Sequence, residues 1–158
     1  MFKDIAVSFI ATLGFGIIFN IRGKNLFFAA IGGVIGWVVY ELCLNTNMPT
    51  VQAFFISSIV FSTYSEICAR LLKTPVTTLI VCALIPLVPG SGMYYTMYAA
   101  VTGDAEKTLS LTLSTLASAG SLALGVIFVS TITRLVTTGK HNYLKKLSFK
   151  KARLKQKK

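Results

Sequence analysis

Few side chains in this sequence could do chemistry, and most of them lie inside apolar stretches. Glu66 and Arg70 stand four residues apart with the acid first, the order in which an ion pair supports a helix. A charge near the centre of a membrane-spanning helix costs about 2.5–3.5 kcal/mol on insertion scales. The pair therefore has two readings: a local ion pair that eases insertion, or a site for a coupling ion or proton. Glu41 lies three residues from Leu44, near the end of its apolar stretch, where it can reach the headgroup layer or add a second polar site. Asn20, two residues before Arg22, suits a cap or a hydrogen bond between helices. Cys43, Cys68 and Cys82 are odd in number and sit in apolar surroundings, so they read as buried free thiols. The single histidine, His141, lies near the C-terminus, and no Ser/His/Asp set, acidic cluster or metal-ligand spacing occurs. These residues point away from an enzyme, a metal centre or a bound cofactor.

One segment carries a different kind of signal. Residues 84–98 include Pro86, Pro89, Gly90, Ser91, Gly92, Met93, Tyr94 and Tyr98, and Pro89 is the midpoint of an apolar run from Val76 to Thr102. Proline removes a backbone donor and clashes with the preceding turn, while glycine permits conformations other residues avoid. The spacing predicts a helix that breaks here and a second helix that starts near Met93. The amides at such a start are unpaired and carry partial positive charge. Irregular backbone inside a membrane is tolerated only where protein buries it or where it lines a cavity. Half-helix starts in transporters often face an anionic part of the substrate. Tyr94 and Tyr98 share a helical face, so they can offer hydroxyls and apolar walls to a small solute. A proline kink that merely packs is the competing reading.

The elements that hold these residues follow from composition. The 158 residues are 54% hydrophobic and 13% charged, against about 25% charged in soluble domains. No charge occurs from Thr74 to Gly103 or from Thr108 to Thr133. A bilayer core about 30 Å thick takes roughly 20 apolar residues as a helix. Five spans are predicted: 5–21, 26–44, 51–72, 76–102 and 109–136. The fold class is thus all-α, a polytopic membrane helix bundle of about five transmembrane helices, the fourth interrupted at Pro86–Gly92. No span alternates strictly between apolar and polar, which argues against a membrane β-barrel.

The net charge of +11 is unevenly spread. Nine of the 16 basic residues fall in the last 19 positions, leaving residues 1–139 with seven basic and five acidic side chains, a balance of +2. The chain therefore divides into a transmembrane domain, 1–139, and a basic tail, 140–158. Charge on a tail rather than on one folded face argues against nucleic acid as a partner. Basic residues also mark the loops near Arg22–Lys24 and Arg70–Lys73, whereas 45–50 carries none. The positive-inside rule places those two loops and the tail in the cytoplasm, and the N-terminus outside. This alternation requires 76–102 to be one interrupted crossing, since a re-entrant hairpin there would turn the tail outward. In the tail, Tyr143, Leu144, Leu147 and Leu154 share one side of a helical wheel among lysines, which suits contact with anionic lipid. Small residues at fours (Gly32 and Gly36; Ser110, Ser114 and Ser118; Ala117, Ser121 and Gly125) read as close-packing helix faces, including faces for a partner chain.

The run from Ile85 to Tyr98, followed by Gly103-Asp104, resembles the signature of the threonine/serine exporter family, most closely its short YjjB-like type. Phe19-Asn20, Gly36-Trp37 and Lys73-Thr74-Pro75 support the likeness, which covers nearly the whole chain up to the tail. Arg22 and Ser91 depart from a proline and a glycine common in the family. The resemblance implies the small subunit of a bacterial cell-membrane exporter. Its partner would be a longer YjjP-like membrane subunit, with a homo-oligomer as the other assembly. The cargo would be threonine and serine, or a dicarboxylate such as succinate. All are small carboxylate solutes, which agrees with a half-helix start as the binding element. A non-transporting assembly or regulatory subunit is the alternative function.

Overall fold

Each apolar run becomes a helix, because backbone groups that leave water must find partners within their own segment. The computed structural model describes the backbone of residues 2–156 and the side chains of residues 3–137. It contains α1 (Phe2–Ile18), α2 (Lys24–Asn45), α3 (Thr50–Leu72), α4 (Val76–Leu84), α5 (Gly90–Val101) and α6 (Ala105–Gln156), with a 3-10 turn over Ile85–Leu87. Among the described residues there is no strand. The all-helical expectation holds, and α2 and α3 match their predicted spans to within two residues. The first helix begins and ends three residues early. The tail proposed for 140–158 is not set off by a break, since the backbone of α6 runs on to Gln156. The lipid-facing residues proposed there, and His141, have side chains outside the described residues.

The chain reverses where local chemistry allows it. Asn20 (φ 57°) and Gly23 (φ 66°) close the α1–α2 turn, and Arg22 Nε donates to Asn20 Oδ1 at 3.0 Å. Pro49 and Pro75 stand just before α3 and α4, where a missing N–H costs nothing. Lys73 ends α3 in the left-handed conformation (φ 53°). Asp104 starts α6 by accepting from the Lys107 amide at 3.0 Å.

Helix α3 is the hub, packed by α2, α4 and α6, while α1 leans on α2 and α5 on α6. Half of the most apolar stretch of α3 is buried, against 28% for α2 and for α6. Small residues let the helices approach. A Cβ on Gly36 would lie 2.9 Å from Leu87 Cδ1 and 3.3 Å from Phe61, and one on Gly125 would collide with Ser58. The close-packing role expected for Gly32, Gly36 and Gly125 is thereby met. Ser57 Oγ also donates to the Gly36 carbonyl at 2.6 Å, joining α3 to α2.

Two contacts fix the direction of α6. Ser58 meets Gly125, and Arg70 reaches Thr137, an offset of 67 residues in each case. α3 and α6 therefore run parallel, so the segment between them crosses the bundle once. The α4–α5 pair bends by 52° and together passes as one broken span, as the charge pattern required. The loops after α1 and α3 and residues around Thr137 share one end of the bundle, called here the basic end. α2, α3 and Ala105–Thr137 are each long and apolar enough to cross a membrane; the bent pair makes a fourth. α1, with 17 residues, rises about 25 Å, a little under the hydrocarbon thickness.

Candidate functional site

The break is sharper than a kink. After α4, Ile85–Leu87 tightens into a 3-10 turn, and Pro89 then adopts φ −73° and ψ 58°. With Gly90 N–H donating to the Val88 carbonyl at 2.7 Å, this is an inverse γ-turn centred on proline. The new helix starts at Gly90, three residues earlier than expected. Gly90, Ser91 and Gly92 form the first turn of α5 rather than the gap, because neither glycine adopts a positive φ. Its first helical bond runs from Met93 N–H to the Pro89 carbonyl at 3.2 Å, and no side chain caps the start.

The surroundings of this start are uneven. Leu87 is buried against Gly36 and Phe61, about 18 Å of helix rise from the basic end of α2. Gly92 faces α6, where a Cβ would lie 2.5 Å from Thr115 Oγ1; Gly90 faces open space. Beyond it α5 buries only Ala99. Met93, Tyr94, Tyr95, Met97 and Tyr98 all turn outward from the chain. Tyr94 stacks on Tyr98 with ring centroids 6.4 Å apart and 18° between planes, and meets Tyr95 edge-on at 5.4 Å. The predicted tyrosine face thus exists as a connected aromatic strip, open on the side away from the bundle.

The second polar locus lies at the basic end. Glu66 Oε2 is 3.8 Å from Arg70 Nη2, and Glu66 is the more enclosed partner, 12% exposed against 51%. Arg70 does more than pair within its helix. Its Nη2 donates to Thr137 Oγ1 at 2.7 Å and to the Thr133 carbonyl at 3.5 Å, tying α3 to α6. Both α4 and α6 pack on α3, and between them a groove of about 550 Å³ opens beside this pair. The groove also brings in Arg134, Thr77, Ser130 and Thr137, which no motif in the sequence brings together. Nothing in the spacing signals contacts 67 residues apart.

The remaining predicted residues lie elsewhere. Glu41 is half-buried at the opposite end of the bundle from Glu66, close in sequence to the stack of Tyr40 on Phe54 at 4.5 Å. Asn20 is exposed and serves its own turn. The structure therefore joins Glu66 to Arg70, and the break to Gly36, but does not bring Glu41 or Asn20 to either. Cys68 and Cys82 are buried free thiols, as expected, and Cys43 is partly buried.

The broken span now has a wider context. The family described as Threonine/Serine exporter, ThrE, matches residues 4–132. The chain belongs to the threonine/serine exporter family. For a member of this exporter family, a bundle of apolar helices with one broken span is a membrane protein's architecture, and transport is the family's activity. An uncharacterized protein of Haemophilus influenzae (strain Rd) is 33% identical over 99 residues, covering 62% of this chain and 33% of the relative. The chain thus spans about a third of that relative's length. No solved structure matches significantly.

Proposed function

We propose that the chain is the small subunit of a secondary transporter that exports small carboxylate-bearing solutes, threonine and serine or a dicarboxylate such as succinate. The observation that carries this reading is the uncapped start of α5. Its partial positive charge lies at the break of an apolar span, on the open side of the bundle, and the aromatic strip of Tyr94 and Tyr98 runs on from it. The substrate carboxylate binds near Pro86 and Pro89 at the turn Gly90–Met93, flanked by the two tyrosines. A strip open on one side calls for a second chain to enclose the solute. A longer YjjP-like subunit fills that role in this proposal, in keeping with a relative that holds a matching region within a longer chain. Glu66, with Arg70 beside it, is the proposed coupling group. The positive-inside rule puts the basic end in the cytoplasm of a bacterial cell, where the basic tail meets anionic lipid, and the N-terminus outside.

Efflux of labelled threonine, serine and succinate from cells lacking the protein tests the cargo. Restoring the chain with its partner should raise efflux of at least one; unchanged efflux of all three rejects the cargo class. Gly90→Leu tests the site, because the added side chain enters open space and leaves the fold intact. It should insert normally and abolish efflux. Normal efflux from that variant would reduce the break to a packing kink. Reconstitution of the chain with and without the partner separates this reading from an assembly subunit, which would alter the partner's stability but not the substrate profile of variants at Tyr94 and Tyr98.

A further inference from the structure

The groove at the basic end has a polarity gradient that extends beyond the coupling role proposed for the Glu66–Arg70 pair on its floor. Its walls are α4 and α6, and its floor is the Glu66–Arg70 turn of α3. On α6 the lining runs from Val126 and Ile127 to Arg134 and Thr137, about 16 Å of helix rise. On α4, Ile80 continues the apolar part. One end is therefore hydrocarbon-lined and the other carries two guanidiniums and hydroxyls. Arg70 and Arg134 against Glu66 leave a balance of +1. Arg70 makes all its described polar contacts through Nη2. The three N–H groups on Nη1 and Nε remain for a further acceptor. Arg134 and Ile127 face outward, so the groove is open along its length to whatever surrounds the bundle.

The geometry points to a binding site for a phospholipid with a singly anionic headgroup, its phosphate held between Arg70 and Arg134 and one acyl chain laid along Ile80, Val126 and Ile127. A free carboxylate or phosphate would satisfy the arginines but leave the apolar half unfilled. A zwitterionic lipid would fill the apolar half but bring no net charge to match the arginines. Guanidinium forks suit phosphate oxygens, and a cation near an anionic membrane surface is worth roughly fivefold in affinity.

The test uses the full chain, purified in neutral detergent, with native mass spectrometry during titration by phosphatidylglycerol or phosphatidylcholine. The wild-type chain should retain one phosphatidylglycerol in preference to phosphatidylcholine. Arg134→Gln should lower that affinity about fivefold, and Ile127→Phe, which fills the apolar half while keeping both arginines, should lower it as well. Both side chains face outward, so both variants fold. The basic tail is intact in every sample, so its own attraction for anionic lipid cancels between them. Equal retention of the two lipids, or unchanged phosphatidylglycerol binding in either variant, overturns the proposal. So does displacement of the lipid by millimolar inorganic phosphate or succinate with no effect of Ile127→Phe, which would make the groove a site for free anions.

Discussion

Gly90 and Gly92 open the same helix two residues apart, yet alanine should act differently at each. Both changes remove a flexible residue from a helix, which favours the folded state by up to about 1 kcal/mol. At Gly90 nothing lies within 4 Å of the new Cβ, so only this gain applies. At Gly92 the new Cβ would sit 2.5 Å from Thr115 Oγ1 and 3.2–3.3 Å from the Cγ2 and Cβ of the same threonine. Thr115 cannot simply rotate away without giving up its 2.7 Å bond to the Leu111 carbonyl. α5 must therefore move off α6 by roughly 1 Å, an overpacking cost of about 1–3 kcal/mol. The propensity term largely cancels between the two variants, so Gly92→Ala should be less stable than Gly90→Ala by about that amount. Reversible unfolding of the purified chain in mixed micelles, followed by helical circular dichroism, measures the difference. Equal stabilities would refute the close α5–α6 contact, and with it the placement of the broken span against α6.

Other expectations follow from single contacts. Ser57→Ala removes the 2.6 Å bond to the Gly36 carbonyl and should cost about 0.6 kcal/mol, up to about 1.7, in the same unfolding assay. Tyr94→Ala and Tyr98→Ala should change the stability of the isolated chain by less than about 0.5 kcal/mol, since both rings face outward; a larger loss would mean that α5 buries that face within the chain. Maleimide should label Cys43 well ahead of Cys68 and Cys82 in the folded protein, with all three reacting after denaturation; early labelling of Cys82 would contradict its burial against α1 and α2.

The helices were legible in the sequence because lipid leaves the backbone no other option. Apolar runs, bounded by Asn20, Pro49 and Lys73, mark α2 and α3 almost to the residue. The break was legible too, but its register was not. Glycine was read as a residue that leaves the helix, whereas Pro89 alone makes the turn and Gly90 and Gly92 go straight back into helix. Gly92 is needed for contact with Thr115, a neighbour that no local pattern reveals. The ion pair of Glu66 and Arg70 could be read from spacing. Its tie to Thr137 could not, because threonine at that position looks like any polar residue near a helix end. Ser62 and Ser65 show the same limit: both are buried along α3 with no hydrogen-bond partner among the described residues, where a small side chain rather than a hydroxyl is what close packing requires.

The constant offset between α3 and α6 also works as a ruler. It carries Leu72, where α3 ends, to position 139, one residue before the basic run of the sequence begins. Two independent signs thus mark the same height on the molecule: a left-handed turn in one helix and a change of composition in its parallel neighbour. α6 itself passes that height without ending. On this longest helix that height is therefore marked by its neighbour's last turn rather than by its own geometry.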